Sequence, residues 1–297
     1  MFQPTDHNVD LSEEEFRLLR DLVHERFGLF FDDNQRSSLR TRLSGRLATL
    51  GLLSFEDYYH YLRFGPQRGD ELLRMVTHLT NNETYFYREM PQLQVFAETV
   101  LRSIKDSKSA GADRTLRVLS AGCSTGEEAY TLAMIIYDSG QFFWNWDVQV
   151  IGMDVDQVAL EKARRAAYHH NSFRSLSPAV KERHFVPGAG AAAQVKEPIR
   201  RLVSFRAGNL VDAASYASLP RLDVVFCRNV LIYFSDAMIL KVVRLFHQAL
   251  VPGGYLFLGH AESLSRITDL FTPIRFQGAM VYRKEGPLEA RAWPAVS

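Results

Sequence analysis

Residues 116–130, Leu-Arg-Val-Leu-Ser-Ala-Gly-Cys-Ser-Thr-Gly-Glu-Glu-Ala-Tyr, pass from a buried-strand pattern through a glycine turn into the start of a helix. That step constrains both fold and ligand. A helix N-terminus presents unpaired N–H groups and a partial positive charge, so a glycine turn there ordinarily gathers phosphate. Here Glu127 and Glu128 occupy the first helical turn and would repel a polyphosphate. With only Gly122 and Gly126 in the turn, neither G-x-G-x-x-G nor G-x-x-x-x-G-K-[ST] is present, which argues against dinucleotide enzymes and ATPases. S-adenosylmethionine suits the two carboxylates better, because it has no phosphate, carries a sulfonium and an ammonium, and offers ribose hydroxyls. The competing reading is that the glutamates only complement the helix dipole.

The strand pattern recurs. Leu116–Leu119, Val148–Met153, Val203–Ala207, Asp223–Cys227 and Gly254–Leu258 alternate with helical segments after a linker containing Ser107–Gly111, and Ile274–Phe276 and Met280–Arg283 flank a tight Gln277-Gly278 turn. This is the signature of a mostly parallel, doubly wound α/β sheet closed by an antiparallel hairpin. One connection, Tyr168 to Arg201, is longer than a helix-to-strand loop needs. It reads as a small inserted β-subdomain over about 168–202, a hairpin or three-stranded flap, with a plain surface loop as the alternative because of the run Pro187-Gly-Ala-Gly-Ala-Ala-Ala193.

Ahead of the sheet the periodicity is helical. Ser12-Glu-Glu-Glu15 is a capping box followed by Phe16, Leu19, Val23 and Phe27, and further helices are expected over about 34–50, 55–64 and 69–79. The expected organisation is a helical domain over 1–79, a junction at 80–92, an α/β domain over 93–286 and a disordered tail at 287–297. The second helix carries Arg36, Arg40, Arg42 and Arg46 with no acidic residue between Asn34 and Leu50. Such a face is either simply solvated or suited to an acidic partner.

Ligands of open α/β sheets bind beyond the carboxyl ends of the strands. Asp154 ends a strand there and can accept from ribose hydroxyls, although helix capping is an alternative that Asp156 serves equally well. Asn209 offers an amide to an adenine edge, and Arg228-Asn229 interrupts an apolar run at another strand end, with Tyr233 close by. The junction sets aromatic residues beside Asn82, Thr84 and Arg88, a mixture that fits interdomain packing or an interdomain cofactor cleft.

Together, Thr80-Asn-Asn-Glu-Thr-Tyr-Phe-Tyr-Arg-Glu89, Ser120-Ala-Gly-Cys-Ser-Thr-Gly-Glu-Glu128, Phe226-Cys-Arg-Asn-Val-Leu-Ile-Tyr-Phe234 and Gly259-His-Ala-Glu262 resemble the CheR-type chemoreceptor glutamate methyltransferases over nearly the whole chain. The resemblance implies a Rossmann-like class I methyltransferase sheet preceded by a small all-helical domain. It implies S-adenosylmethionine as cofactor, S-adenosylhomocysteine as product, no metal, and methyl esters on receptor glutamates for sensory adaptation. Cofactor contacts carried over are Asn82, Thr84, Arg88, Ala121, Glu127, Asp154, Asn209, Leu210, Arg228 and Asn229, with Arg88 and Tyr233 facing the reacting centre. Arg36, Arg40, Arg42 and Arg46 match the family's basic helix, which meets the cytoplasmic helical bundle of the receptors. In some members the inserted subdomain grips a receptor C-terminal tether peptide, and the alanine–glycine run argues against that groove here.

The bulk properties agree. A formal net charge of +1 gives no global attraction to nucleic acid, and no apolar run reaches membrane-spanning length. Residues 1–10 lack a signal-peptide pattern, and Cys123 and Cys227 have no metal spacing, so reduced thiols in a cytoplasmic protein are expected, while the resemblance implies a bacterial protein acting at receptor arrays on the inner membrane face. Two rivals remain. A methyltransferase of RNA or amide nitrogen would usually carry a proline-containing loop where Arg228–Leu231 stands. The other is a non-catalytic cofactor-binding adaptor on the same fold.

Overall fold

The computed structural model describes residues 9–109, 111 and 113–286. The expected tail at 287–297 lies outside the described residues. Helix α1, Glu13–Phe27, starts at the anticipated capping box: Ser12 Oγ accepts from Glu15 N, and Glu15 Oε2 accepts from Ser12 N at 2.8 Å. It ends at Gly28, whose φ of 77° is the left-handed conformation that glycine adopts without a Cβ clash. Helices α2 (Arg36–Leu50), α3 (Phe55–Phe64) and α4 (Arg68–Leu79) complete a bundle around fully buried Leu19, Leu39, Leu43, Phe55 and Val76.

After the extended junction, α5 (Met90–Val95), a π-helical turn (Phe96–Val100) and α6 (Leu101–Ser109) form one run. The linker expected from Ser107 is therefore corrected: Ser107–Ser109 are helical. Lys108 holds this end down, its Nζ lying 2.6 Å from Asp223 Oδ1 and 2.8 Å from the Thr115 carbonyl.

The large sheet is built from β1 (Thr115–Ala121), followed by α7 (Glu127–Asp138); β2 (Asp147–Asp154), followed by α8 (Gln157–Arg165); and then a small insertion. That insertion contains β3 (Ala167–Tyr168), α9 (Pro178–His184), β4 (Phe185–Pro187) and β5 (Ala193–Val195). Next come α10 (Glu197–Arg200), β6 (Val203–Ala207), β7 (Leu222–Cys227), α11 (Asp236–Ala249), β8 (Leu250–Leu258), β9 (Thr272–Phe276) and β10 (Ala279–Arg283). Strand order is β6-β2-β1-β7-β8-β10-β9, parallel through β8 and antiparallel at the hairpin.

The central parallel strands β1, β2, β7 and β8 are buried toward their carboxyl ends because both faces are covered there, while the edge strand β6 is partly exposed. Val118, Val150, Val224 and Phe226 face one core, while Leu119, Ile151 and Val225 face the other, on which α11 packs. The chain builds outward from β1 to β2 and β6, then returns to β7 and β8 on the other side. The strand order thus reverses between β1 and β7, which opens a crevice at their carboxyl ends. The insertion is a three-stranded antiparallel sheet, order β3-β5-β4, rather than a plain loop. Fully buried Phe86 of the junction locks against it, with ring centroids 4.8 Å from Tyr168 and 5.0 Å from Phe185.

Candidate active site

The crevice widens into an open cleft between the helical domain and the strand ends. Its walls include Asn82, Thr84, Arg88, Asp154, Asn209, Leu210, Arg228, Asn229 and Tyr233. Phe27 and Leu29, from the end of α1 and the turn after it, also line it.

Asp154 is 7% exposed. Its Oδ2 accepts from Ser124 N at 2.7 Å and its Oδ1 from Asp156 N at 2.9 Å. Burial pushes its carboxyl above the usual aspartate range, opposed by those backbone donors. Each oxygen retains a lone-pair direction for a further donor. Helix capping falls to Asp156, whose Oδ1 accepts from Val158 N and Ala159 N. Asn82 clamps the junction to this corner: its Nδ2 donates to Asp156 Oδ2 at 2.7 Å, and its Oδ1 accepts from Ser124 Oγ at 2.9 Å.

On the opposite wall, Arg228 donates from Nε to Glu128 Oε2 at 2.8 Å and from Nη1 to the Arg88 carbonyl at 2.7 Å. Asn229 takes a left-handed φ of 60° and donates from Nδ2 to Glu89 Oε1 at 3.2 Å. Glu89, itself at φ 59°, also meets His260 Nδ1 at 3.0 Å. Desolvation raises the Glu89 carboxyl, but His260, Arg228 and Asn229 outweigh it and hold it below the usual range. The loop carrying Asn229 and Tyr233 closes around Glu262, whose carboxylate accepts from the backbone N–H groups of Asn229, Val230, Ile232 and Gly259 at 2.6–3.2 Å. Sequence reasoning placed Glu262 in a motif without a role, and Glu89 likewise; their partners are backbone groups and side chains far away in the chain.

Several expected residues stand elsewhere. Glu127 is buried away from the cleft, where it accepts from Thr125 Oγ1 at 2.6 Å and Ser172 Oγ at 2.8 Å, and burial raises its carboxyl. Of the two adjacent glutamates, it is Glu128 that lines the cleft. Ala121 packs its side chain into the sheet core. Asn209 lines the cleft, but its Nδ2 is engaged with the Arg26 carbonyl at 2.6 Å and its Oδ1 with Val211 N at 3.2 Å, so the amide ties α1 to the sheet. Arg46 is 9% exposed and grips Glu71 with two hydrogen bonds, at 2.9 and 2.7 Å, which removes it from any partner face. The apolar side of α2 needed a counter-ion there, and Glu71 on α4 supplies it.

The cleft chemistry fits S-adenosylmethionine. Arg228 is spent on internal acceptors, Asp154 keeps acceptor capacity, and Asn229 Oδ1 is buried with no partner among the described residues. Around Asp154 and Asn229 such walls suit a ligand bringing hydroxyl and ammonium donors. Gly122, at φ 73°, allows the turn to pass under Val230, since a Cβ there would lie 2.5 Å from Val230 Cγ2. Among the described residues, no group of three or more His, Cys, Asp or Glu side chains is placed to hold a metal ion, and no helix is long and apolar enough to cross a membrane.

Comparison with known proteins agrees with this geometry. The family model for the CheR methyltransferase SAM-binding domain matches residues 82–280, and that for the CheR methyltransferase all-alpha domain matches residues 14–80. Chemotaxis protein methyltransferase 2 of Vibrio cholerae is 34% identical over 278 residues, covering 94% of this chain and 95% of that protein. The chemotaxis protein methyltransferase of Escherichia coli is 34% identical over 276 residues, with 92% and 91% covered. Chemotaxis protein methyltransferase 1 of Pseudomonas aeruginosa is 34% identical over 281 residues, with 93% and 99% covered. With both domains matched and the cleft lying where they meet, the chain belongs to the CheR methyltransferase family, its α/β domain being the one that binds S-adenosylmethionine.

Proposed function

We propose that this protein methylates glutamate side chains on the cytoplasmic helical bundle of chemoreceptors, giving glutamate methyl esters and S-adenosylhomocysteine. The observation that carries the reading is Arg88. Of the two arginines lining the cleft, Arg228 is paired with Glu128, whereas Arg88 has no carboxylate partner among the described residues. It rests on Tyr85, 5.6 Å from the ring centroid, and gives Nη1 to the Glu83 carbonyl at 3.0 Å. Its remaining donors suit a carboxylate entering the cleft.

Bound S-adenosylmethionine supplies an electrophilic methyl group. A glutamate carboxylate with a reference pKa of ~4.3 is already ionised at neutral pH, so the protein needs no general base. Its part is positioning. Asp154 and Asn229 would hold the cofactor's donors, Arg88 would orient and partly neutralise the incoming carboxylate, and Tyr233 would shape the transfer slot. The Tyr233 hydroxyl accepts from Asn81 Nδ2 at 3.3 Å, which fixes the ring at the cleft wall.

Exposed Arg36, with Arg40 and Arg42 on the same helix, would face the acidic receptor bundle at arrays on the inner membrane surface. Arg42 also donates to the Leu79 carbonyl at 2.6 Å, which ties α2 to the end of α4 just before the junction. A receptor tether peptide would have to add to an edge of the small sheet. Pro187 removes one donor from β4, and the reading does not depend on a tether.

The test is transfer of a labelled methyl group from the cofactor to a receptor cytoplasmic fragment, followed by alkali. Methyl esters release labelled methanol, which is the expected result. Alkali-stable label would point to nitrogen methylation, and S-adenosylhomocysteine binding without transfer to any receptor would point to a non-catalytic adaptor.

A further inference from the structure

We propose that Arg174, from the inserted subdomain, is a positioning residue for the reaction: it holds the Glu83 carboxylate away from Arg88, so that Arg88 stays open to the substrate glutamate. The proposal rests on the functional reading above and adds the inserted subdomain to the parts that receive the substrate.

Among the described residues, the carboxylates lining the cleft are Glu83, Glu128 and Asp154, and the arginines are Arg88 and Arg228. Glu128 is paired with Arg228, and Asp154 accepts from backbone N–H groups, which leaves Glu83 as the carboxylate placed to close on Arg88. Arg88 Nη1 already lies 3.0 Å from the Glu83 carbonyl oxygen, and a glutamate side chain can swing its carboxylate about its own backbone through staggered torsions. A guanidinium at the carbonyl is therefore within reach of the carboxylate. Left alone, the two would pair in the position that the substrate carboxylate needs.

Arg174 prevents this. Its Nη2 donates to Glu83 Oε1 at 2.7 Å. Its guanidinium carbon also lies 3.8 Å from the ring centroid of Tyr85, a cleft residue, whereas that of Arg88 lies at 5.6 Å. This closer stacking braces Arg174 before it meets Glu83, which reduces the side-chain freedom that an exposed ion pair otherwise gives up and favours Arg174 over Arg88 as the partner. Contacts of the neighbouring residues bring Arg174 to this place. Phe86 N donates to the Ser172 carbonyl at 3.0 Å, and the Phe86 and Phe173 rings stack with centroids 5.6 Å apart. Tyr85 precedes Phe86 and Arg174 follows Phe173, so the contacts that join Phe86 to Ser172 and Phe173 set Arg174 against Tyr85 and beside Glu83.

The arrangement has a kinetic consequence. Without Arg174, an incoming carboxylate must displace Glu83 from Arg88 before it binds. The Arg174 and Glu83 side chains are 44% and 62% exposed, so neither substitution opens the core.

The experiment measures kcat, KM for a receptor cytoplasmic fragment and S-adenosylhomocysteine affinity in the native protein, in Arg174→Ala, and in Arg174→Ala combined with Glu83→Gln or with Glu182→Gln. Glu182, an exposed acid on α9 of the same subdomain, controls for net charge. Arg174→Ala should raise KM about threefold to fivefold, the size of an exposed ion pair, with S-adenosylhomocysteine affinity near native. Adding Glu83→Gln removes the competitor and should restore KM, whereas adding Glu182→Gln should not. Native KM in Arg174→Ala would overturn the proposal, as would a raised KM that Glu83→Gln fails to restore or that Glu182→Gln restores equally. A parallel loss of S-adenosylhomocysteine affinity would place the effect on the cofactor and overturn it too. Absence of any transfer by the native protein would overturn the functional reading itself, and the proposal with it.

Discussion

Arg228 Nε and Glu128 Oε2 meet at 2.8 Å, joining the loop after β7 to the helix after β1 across the point where strand order reverses. Glu128 also accepts from Ser120 Oγ at 2.7 Å, and Arg228 also holds the Arg88 carbonyl, so one pair fixes three sides of the cleft. Both side chains are largely buried, and removing one partner strands the other. Glu128→Ala should cost about 3 kcal/mol of stability and weaken S-adenosylhomocysteine binding, read by urea unfolding and calorimetry. Unchanged values in both would show that the pair is not needed.

The arginines of α2 should separate into two classes. Arg46→Ala leaves the buried Glu71 carboxylate with the Tyr58 hydroxyl but without its counter-ion, and should lower stability by about 3–5 kcal/mol. Replacing Arg46 and Glu71 together with Met and Leu should recover most of that loss. Arg36→Ala, at an exposed position, should leave stability within about 0.5 kcal/mol while raising KM for the receptor. The check is thermal unfolding alongside receptor methylation, and a large stability loss in Arg36→Ala would contradict the assignment.

Glu262→Ala would leave four backbone donors without their carboxylate. Charge-assisted bonds of this kind contribute about 1.5–3 kcal/mol each before relaxation and water recover part. The loop from Asn229 to Tyr233 should loosen, so that kcat and cofactor affinity fall together, with faster amide exchange at Val230 and Ile232. Protection unchanged from native would remove Glu262 from this role.

Cofactor affinity should also depend on Asp154 ionisation. Burial raises its carboxyl above the ordinary value of 3.8, so the acceptor form is lost at a higher pH than for a free aspartate. S-adenosylhomocysteine binding should therefore weaken as pH falls through that raised value, and Asp154→Asn should flatten the profile. The stability sign is the reverse. In the free protein the native state keeps this proton where the unfolded chain has released it, so Asp154 alone lowers stability as pH rises through the window. A binding profile identical in the native protein and the Asp154→Asn variant would contradict this role.

Much of this architecture was readable because its signals are local. Ser12 and Glu15 lie three residues apart and cap α1 as expected, and the apolar runs at 116–119 and 223–227 are strands because both sheet faces are covered. What escaped depends on distant partners. Lys108 is helical because it reaches Asp223, more than a hundred residues on. Two adjacent glutamates at a helix start cannot be told apart by type, and only the rotation between them sends Glu127 to Ser172 and Glu128 to Arg228. Arg46 looked like its exposed neighbours until Glu71 on α4 was placed against it.

The most direct measurement is calorimetric titration of S-adenosylhomocysteine into the native protein and Asp154→Ala. The account predicts one-to-one binding to the native chain and a loss of roughly tenfold or more in the variant, since two donors lose their acceptor at a buried corner. No binding to the native protein, or equal affinity in a folded Asp154→Ala, would contradict the assignment of this cleft as the cofactor site.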